Sequence, residues 1–318
     1  MAYGVDLALG AMVCLGLADL VYKRGAAAGV PAHHFLMVQA WCFAPAVTLY
    51  GLATGTLELK AYLLWGMGAG LFVFVALYNF ARSLRTGSVS LIAPIFRLSF
   101  TVTTALAVLL LGEPLGAWKV AGLALALAAV WVLLGPFQLF VASSGTLESP
   151  PQASQSSRGR EVGTALGGDG GTGAAPGAAR SPLVQALIAM AAMGVANFLY
   201  KVGAESGGSP ATFIAGQAAV FLPLATGYAW LTDRGVRAPS VTAWTHAGST
   251  AALFLLGLIL MFESLTRGQA SVLVPITQMG FVVTAAIGIV FLREAFTLRK
   301  GAGLAFAIAA LAALAISG

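Results

Sequence analysis

Residues 90–122 read SLIAPIFRLSFTVTTALAVLLLGEPLGAWKVAG, and residues 271–303 read SVLVPITQMGFVVTAAIGIVFLREAFTLRKGAG. Subtracting 90 from 271 gives an offset of 181, and the two stretches agree in that register. The matched pairs include Ser90 with Ser271, Pro94 with Pro275, Phe100 with Phe281, Glu113 with Glu294 and Gly122 with Gly303. Agreement at this many positions indicates an internal duplication. A duplication limits the possible folds to those built from two similar units.

The duplication extends to the earlier part of each half. There the offset is 178, as Tyr22 and Tyr200 show, and it also matches Lys23 with Lys201. The change from 178 to 181 places a three-residue insertion in the loop before the eighth apolar segment.

The composition identifies the solvent in which the chain folds. Hydrophobic residues make up 59% of it, charged residues 9%, and the mean hydropathy is +0.90. Soluble domains carry about 25% charged residues, so lipid must surround most of this chain. The net charge of +6 fits basic loop residues of a membrane protein better than a nucleic-acid partner.

Ten apolar segments are separated by short breaks rich in Gly, Pro and charge. Each is close to the roughly 20 residues that a helix needs to cross a bilayer, and helices are required because lipid leaves no other partner for the backbone. The predicted segments are 5–22, 33–54, 61–81, 89–111, 118–137, 183–200, 211–231, 243–265, 271–292 and 300–316.

The chain divides into two repeats and a linker. Residues 142–182 are rich in Ser, Gly, Pro, Gln and Ala and lack aromatic side chains, so they are predicted to be a disordered linker. Residues 1–141 and 183–318 each hold five segments. Since five is odd, the second repeat must begin on the opposite side of the membrane. The predicted fold is therefore an all-α integral membrane protein, with ten transmembrane helices as two inverted five-helix repeats.

These features resemble the EamA domains of the drug/metabolite transporter superfamily. Each repeat has a Pro followed 19 residues later by a Glu, then a loop and a Gly/Ala-rich helix. The family's Gly-Glu signature matches Gly112 and Glu113, whereas the second copy has Arg293 before Glu294. The resemblance implies a multi-pass transporter of the inner cell membrane that uses no cofactor, with a small-molecule substrate and membrane lipid as its partners.

The resemblance is weaker for the substrate than for the fold. It implies export of a small metabolite such as an amino acid, by alternating access at a central cavity. A broad-specificity drug transporter and a transporter of nucleotide sugars or organic anions are alternatives, and a non-transporting scaffold is a less favoured one. A monomer and a homodimer both fit the sequence.

Arg97 is the leading candidate for substrate binding. It stands close to the middle of the fourth segment, where a charge costs at least ~2.5–3.5 kcal/mol unless it faces a cavity or a partner. It shares a polar helix stripe with Thr101, and Gln278 is its equivalent in the second repeat. Binding of a carboxylate is one interpretation; the alternatives are a structural ion pair with Asp19 and a side chain that reaches the membrane interface through a small tilt of the helix.

A second set of candidates repeats between the first and sixth segments. Asp19 and Tyr22 share a helix face, and Asn197 and Tyr200 repeat them at the 178 offset. Asp19 is a candidate proton carrier, or it is neutralised by Lys23 one turn away. Near the end of the third segment, Asn79 is a further substrate-binding candidate.

Pro94 and Pro275 are candidate hinges because each removes a helix hydrogen bond; a static bend is the alternative. His33 and His34 are adjacent and therefore do not share a helix face, which makes them a poor metal-binding pair, and no metal site is predicted. The chain shows no paired acids, no HExxH motif and no nucleophile–base pair, so an enzyme is not predicted.

The orientation is left open by two arguments that disagree. Twelve Lys and Arg side chains lie on the face of the linker and four on the opposite face. The positive-inside rule then places the linker in the cytoplasm and both termini outside. The family it resembles is more usually described with both termini in the cytoplasm.

Overall fold

The computed structural model describes residues 2–58, 60–86, 95–134, 182–235, 238–280, 282–283, 286–287 and 297–317. Within these residues lie ten α-helices, five in each repeat. They are α1 (Ala2–Ala27), α2 (Ala32–Thr54), α3 (Tyr62–Thr86), α4 (Ser99–Leu111), α5 (Ala117–Leu134), α6 (Pro182–Glu205), α7 (Pro210–Asp233), α8 (Val241–Leu265), α9 (Ala270–Gln278) and α10 (Leu298–Ser317). The predicted linker lies outside the described residues, except that its last residue, Pro182, is the first residue of α6.

Local sequence explains where several helices begin and end. The Ser209 hydroxyl accepts from the Thr212 amide at 3.2 Å and caps α7, and Ser240 caps α8 in the same way. α2 and α4 end at Gly55 and Gly112, both in the left-handed conformation that glycine adopts without strain. These caps satisfy backbone groups that a helix end leaves open.

The helices suit a lipid environment. Six of them, α1–α3 and α6–α8, are long and apolar enough to cross a membrane. Shorter apolar helices lie at Ile95–Leu111, which includes α4, and within α5 and α10. Large apolar side chains are exposed on the outside of the bundle. Examples are Leu49, Leu52, Leu64, Leu109, Leu110, Trp131, Leu231 and Ile308. Such a surface would be unfavourable in water and is expected against hydrocarbon.

The most extensive helix contacts are made between the two repeats. α1 packs on α8 and α9. In the same way α6, the equivalent of α1, packs on α3 and α4, the equivalents of α8 and α9. α2 packs on α7 and α8, as α7 does on α2 and α3. The pairs α4–α9 and α5–α10 each join equivalent helices. Exchanging the two repeats therefore returns the same contact pattern, which describes a pseudo-two-fold arrangement.

The direction of the helices confirms the inversion. Near the start of α2, His34 contacts Asp233 at the end of α7. Just beyond the end of α2, the Thr56 carbonyl accepts from Ser209 at the start of α7, at 2.6 Å. α2 and α7 thus run antiparallel although they are the second helices of their repeats. The second repeat is upside down relative to the first.

Glycines near the middles of α1 and α6 allow these helices to pass close to the backbone at the interruptions of the ninth and fourth segments. A Cβ atom on Gly16 of α1 would lie 2.6 Å from the Gly280 carbonyl oxygen. A Cβ atom on Gly194 of α6 would lie 2.7 Å from the Ser99 carbonyl oxygen. The offsets 178 and 181 relate these two crossings. Only glycine permits this approach, as in other closely packed membrane helices.

The fourth and ninth segments are interrupted at equivalent positions, where the sequence predicts continuous helices. The Leu98 amide donates to the Ile95 carbonyl at 3.0 Å, and the Met279 amide donates to the Ile276 carbonyl at 3.1 Å. Both bonds reach three residues back, so the regular α-helical pattern stops there. Leu98 and Met279 differ by 181 and are therefore the same position in the two repeats.

The interruptions lie beyond the prolines that were predicted as hinges. Pro275 is inside α9, which continues to Gln278 before the helix stops. Pro94 lies outside the described residues. The role of both prolines as hinges stays a prediction, and the interruption four residues after Pro275 is the feature that the structure shows.

Gly194→Ala should destabilise the protein, because the new Cβ atom meets backbone and the Val102 side chain at less than 3.0 Å. We expect a loss of about 1–3 kcal/mol from overpacking, measured as a lower midpoint of thermal unfolding in detergent. The matched control is Gly227→Ala in α7, where nothing lies within 4 Å of the added atom. That change should be neutral or stabilise by up to about 1 kcal/mol. Equal midpoints for the two variants would contradict the close crossing.

Candidate functional site

Asp19 of α1 and Arg97, two residues before α4, form an ion pair. The Arg97 Nη2 group donates to Asp19 Oδ2, which joins the fourth segment to α1. Their side chains remain 21% (Arg97) and 30% (Asp19) exposed. A charge that faces hydrocarbon is costly, so this exposed area is expected to meet water or polar groups rather than lipid. Of the two partners that the sequence left open for Asp19, the structure places Arg97 against its carboxylate.

The second repeat carries neutral amides at the same positions. Asn197 is the equivalent of Asp19, and Gln278 is the equivalent of Arg97; both are buried. Among the described residues, the Asn197 side-chain nitrogen and the Ser99 hydroxyl have no hydrogen-bond partner. Both belong to the helices that cross at Gly194. Buried polar groups without partners are rare, and they fit a place where water or a polar solute binds.

Other predicted site residues are spread over the neighbouring helices. The Tyr22 ring packs edge-on against Phe35, with centroids 4.4 Å apart. The Tyr200 hydroxyl donates to Gln217 Oε1 and is buried. The Thr101 hydroxyl donates to the Leu98 carbonyl at 2.7 Å, within the helix interruption.

Asn79 is directed toward its own helix. Its Nδ2 group donates to the Val75 carbonyl one turn earlier, at 2.8 Å. The contacts therefore bring Asp19 and Arg97 together, whereas no described contact joins Asn79 to them. Its assignment to the substrate site stays a prediction.

Glu113, quoted above only as part of a signature, caps a helix of the other repeat. Its carboxylate accepts from the Ala270 amide at 2.7 Å and from the Ser271 amide at 2.9 Å. The Ser271 hydroxyl also donates to it. A buried carboxylate at the start of α9 satisfies open amides and suits the positive end of the helix dipole.

Two buried lysines donate hydrogen bonds to the end of α8 and to the α8–α9 connection. Lys119 Nζ donates to Gln269 Oε1 at 2.5 Å. Lys201 Nζ donates to the carbonyls of Leu265 and Gly268 at 3.0 and 2.7 Å. A cation at the last carbonyls of α8 is favoured by the helix dipole. The α8–α9 connection is thus held from both repeats.

Glu113→Gln should lower stability, because the Ala270 and Ser271 amides bond to different oxygens of the Glu113 carboxylate and glutamine replaces one of these acceptors by an NH2 donor. Leaving one buried donor unpaired costs about 1–3 kcal/mol, and the midpoint of thermal unfolding in detergent measures it. Glu263→Gln is the matched control, since Glu263 makes only a half-exposed contact of 3.6 Å with Arg267, a kind worth little. A Glu113→Gln midpoint equal to that of the control would show that the cap carries no stability.

The structure also joins residues that the sequence argument kept apart. His33 Nε2 lies 3.0 Å from Asp233 Oδ1, and His34 Nε2 lies 2.6 Å from Asp233 Oδ2. The sequence argument treated His33 and His34 as a poor metal-binding pair because adjacent residues do not share a helix face, yet both rings turn from the first turn of α2 toward one carboxylate. Asp233 is 199 residues from His34 in sequence, and it is not repeated in the first half, so no local pattern could reveal it.

An apolar cleft on the outer face is separate from the ion pair. Its lining is Trp41, Leu222, Pro223, Thr226 and Trp244. Neither Asp19 nor Arg97 belongs to it. Both tryptophans are more than one-third exposed, which fits a surface that faces lipid acyl chains or head groups.

Comparison with known proteins agrees with this architecture. Residues 2–135 and 180–316 match the sequence model described as "EamA-like transporter family". An uncharacterized protein of Methanocaldococcus jannaschii is 36% identical over 73 residues, which is 23% of this chain and 53% of that protein. The chain thus spans about half the length of this curated relative.

A solved structure extends the fold comparison to nearly the whole chain. One crystal structure, described only as that of a protein, superposes with a TM-score of 0.68 at 16% identity. The match covers 98% of this chain and 95% of the other. At this identity the likeness concerns the fold alone.

Proposed function

Because the chain belongs to the EamA-like transporter family, we propose that it is a secondary transporter that exports a small zwitterionic metabolite such as an amino acid. The family supports a transporter rather than an enzyme. The substrate, the direction and the inner cell membrane as its location are our proposals, and the direction and the location rest on the family resemblance alone.

The Asp19–Arg97 ion pair is the observation that carries the choice of substrate. It presents one carboxylate and one guanidinium side by side. A zwitterion can exchange partners with such a pair, its carboxylate binding Arg97 and its ammonium group binding Asp19. Each desolvated charge of the solute then gains an opposite charge, which a neutral pocket would not supply.

The position of the pair supports a site that opens by alternating access. Arg97 directly precedes the interruption at Leu98, as Gln278 precedes the one at Met279. In transporters built from inverted repeats, substrate sites lie near the midplane at discontinuous helices. The free backbone groups of an interrupted helix add polar partners for a solute.

Equivalent residues also differ in exposure, as a one-sided state requires. The Asp19 and Arg97 side chains are partly exposed, whereas their equivalents Asn197 and Gln278 are buried. On the face that carries the α8–α9 connection, Glu113 and its neighbours tie the two repeats together. We propose that this face is the closed one and that access is from the face of the linker. Transport would exchange these two states.

An organic-anion transporter is the second candidate, and Arg97 favours it. The two candidates predict opposite effects of Asp19. An anion without an ammonium group is repelled by Asp19, so Asp19→Asn should preserve or increase its transport. A zwitterion uses Asp19, so the same change should reduce its transport.

Counterflow in proteoliposomes tests the proposal, with labelled neutral amino acids as probes. Wild-type protein should show saturable exchange. The exchange rate should fall at least about tenfold, which corresponds to about 1.4 kcal/mol, in Arg97→Gln, in Asp19→Asn and in the double variant. The double variant gives the first repeat the Asn and Gln that the second repeat already carries. It removes both charges together, whereas each single variant leaves one charge unpaired. Its midpoint of thermal unfolding should therefore lie closer to that of the wild type than the midpoint of either single variant.

The double variant is also the decisive control. If it folds and exchanges amino acids with wild-type kinetics, the ion pair is structural and the proposed site is wrong. If only anions exchange, and Asp19→Asn accelerates them, the second candidate replaces the first. Absence of saturable exchange with any neutral amino acid or organic anion would contradict both.

A further inference from the structure

One end of the α2–α7 pair carries a compact group of metal-binding side chains. His33 and His34 stand in the first turn of α2, and Asp233 is the last residue of α7. Each carboxylate oxygen of Asp233 contacts one Nε2 atom. The three side chains are only 11%, 12% and 11% exposed. The group therefore joins the first repeat to the second in a place largely closed to solvent.

The distances fit the coordination sphere of a transition metal. One nitrogen from each histidine and an oxygen of the carboxylate all lie within 4.8 Å of one another. Zinc binds such atoms at about 2.0–2.2 Å, so two of its ligands are at most about 4.4 Å apart. Small side-chain rotations would thus admit an ion between the three residues. Two imidazoles and a carboxylate are a set that suits zinc and its neighbours, with a fourth position left for water.

The groups that would touch the ion are negative or neutral, although this face also carries the basic residues Lys23 and Arg24 near the end of α1 and Arg234 just after α7. The backbone carbonyls at the end of α7 give that end of the helix a partial negative charge. Asp233 adds a full negative charge when ionised. A divalent ion held by neutral imidazoles would compensate both, and the burial of the three side chains would limit competition from water.

The equivalent end of the same helix pair is built from neutral groups. There, Ser209 and Thr212 donate from their hydroxyls to the Thr56 carbonyl at 2.6 and 3.0 Å. The 178 offset makes Thr212 the equivalent of His34, and Gly55 the equivalent of Asp233. Hydroxyl–carbonyl bonds suffice to join α2 and α7 at that end. Metal ligands at the other end are therefore not a requirement of the helix contact itself.

From this geometry we propose that His33, His34 and Asp233 form a binding site for a divalent transition-metal ion of the zinc class. The ion clasps α2 of the first repeat to α7 of the second at the face of the α1–α2 and α7–α8 connections. A bound ion would restrain the relative movement of the repeats at that face. This last consequence, and no other part of the proposal, rests on the proposed function.

Metal titration of the full-length protein, purified in detergent and stripped with EDTA, tests the site. Calorimetry with Zn²⁺ should give one equivalent, and Co²⁺ should produce visible d–d absorption bands of a four-coordinate ion. His34→Gln and Asp233→Asn should each weaken Zn²⁺ binding by at least about 100-fold, since even changes to residues behind the ligands cost 10–100-fold. His246→Gln is the matched control, because the third histidine of the chain bonds to Thr242 of its own helix.

The wild-type Co²⁺ spectrum keeps the test decisive even if a variant fails to fold. Wild-type protein without zinc uptake and without cobalt bands would overturn the proposal, as would binding that His34→Gln and Asp233→Asn leave unchanged. Sulfur-to-cobalt charge-transfer bands would assign the ion to Cys14 or Cys42 and would overturn it as well. Bands that are lost in both variants and kept in His246→Gln are the result that we expect.

Counterflow with and without Zn²⁺ tests the restraint separately. Zinc should slow exchange by the wild-type protein at least about threefold, and it should leave exchange by folded His34→Gln unchanged. Zinc binding without any effect on exchange would overturn the restraint alone. Because calorimetry does not depend on a transported solute, failure of the proposed function leaves the metal test intact.

Discussion

The close contact between backbones at two helix crossings is the constraint on which the rest of the structure depends. α1 meets the ninth segment at Gly16 and Gly280, just beyond α9, and α6 meets α4 at Gly194 and Ser99. In lipid, helices gain little from hydrophobic exclusion and associate through packing and polar contacts. Side chains one turn away, Asp19 and its equivalent in α6, are thereby brought to the interruptions of the fourth and ninth segments. The crossings thus place the polar centre of the molecule.

The bilayer also explains the polar contacts at the helix ends. Buried backbone amides and carbonyls at an interruption or a loop find few waters, so the protein must supply partners. Glu113 does this for the start of α9, and Lys201 does it for the end of α8. Glu113 comes from the opposite repeat. A group that satisfies the backbone of one repeat therefore also joins it to the other repeat.

Departures from the two-fold pattern are where function is to be sought. A perfectly symmetric pair of repeats would have the same chemistry in both halves. Here the first repeat carries Asp19 and Arg97, whereas the second carries the neutral Asn197 and Gln278 at the equivalent positions. The ends of the α2–α7 pair differ in the same sense, with His33, His34 and Asp233 at one and hydroxyl groups at the other. The common frame sets the positions, and the different side chains give each half its own electrostatic character.

The sequence by itself determined the solvent, the ten helices, the duplication and the inversion. Each of these follows from composition, from segment length, from the match between the two halves or from the odd number of segments in a repeat. All of these can be read from the order of the residues without knowledge of contacts between helices. It also pointed to Arg97, because a charge in an apolar segment is conspicuous without any knowledge of its surroundings. Only the tertiary structure decided that Arg97 meets Asp19, that Glu113 caps a helix 157 residues away, and that His33 and His34 share Asp233. Those pairings depend on how helices from opposite repeats cross, and helical periodicity within one segment carries no information about the partner on another.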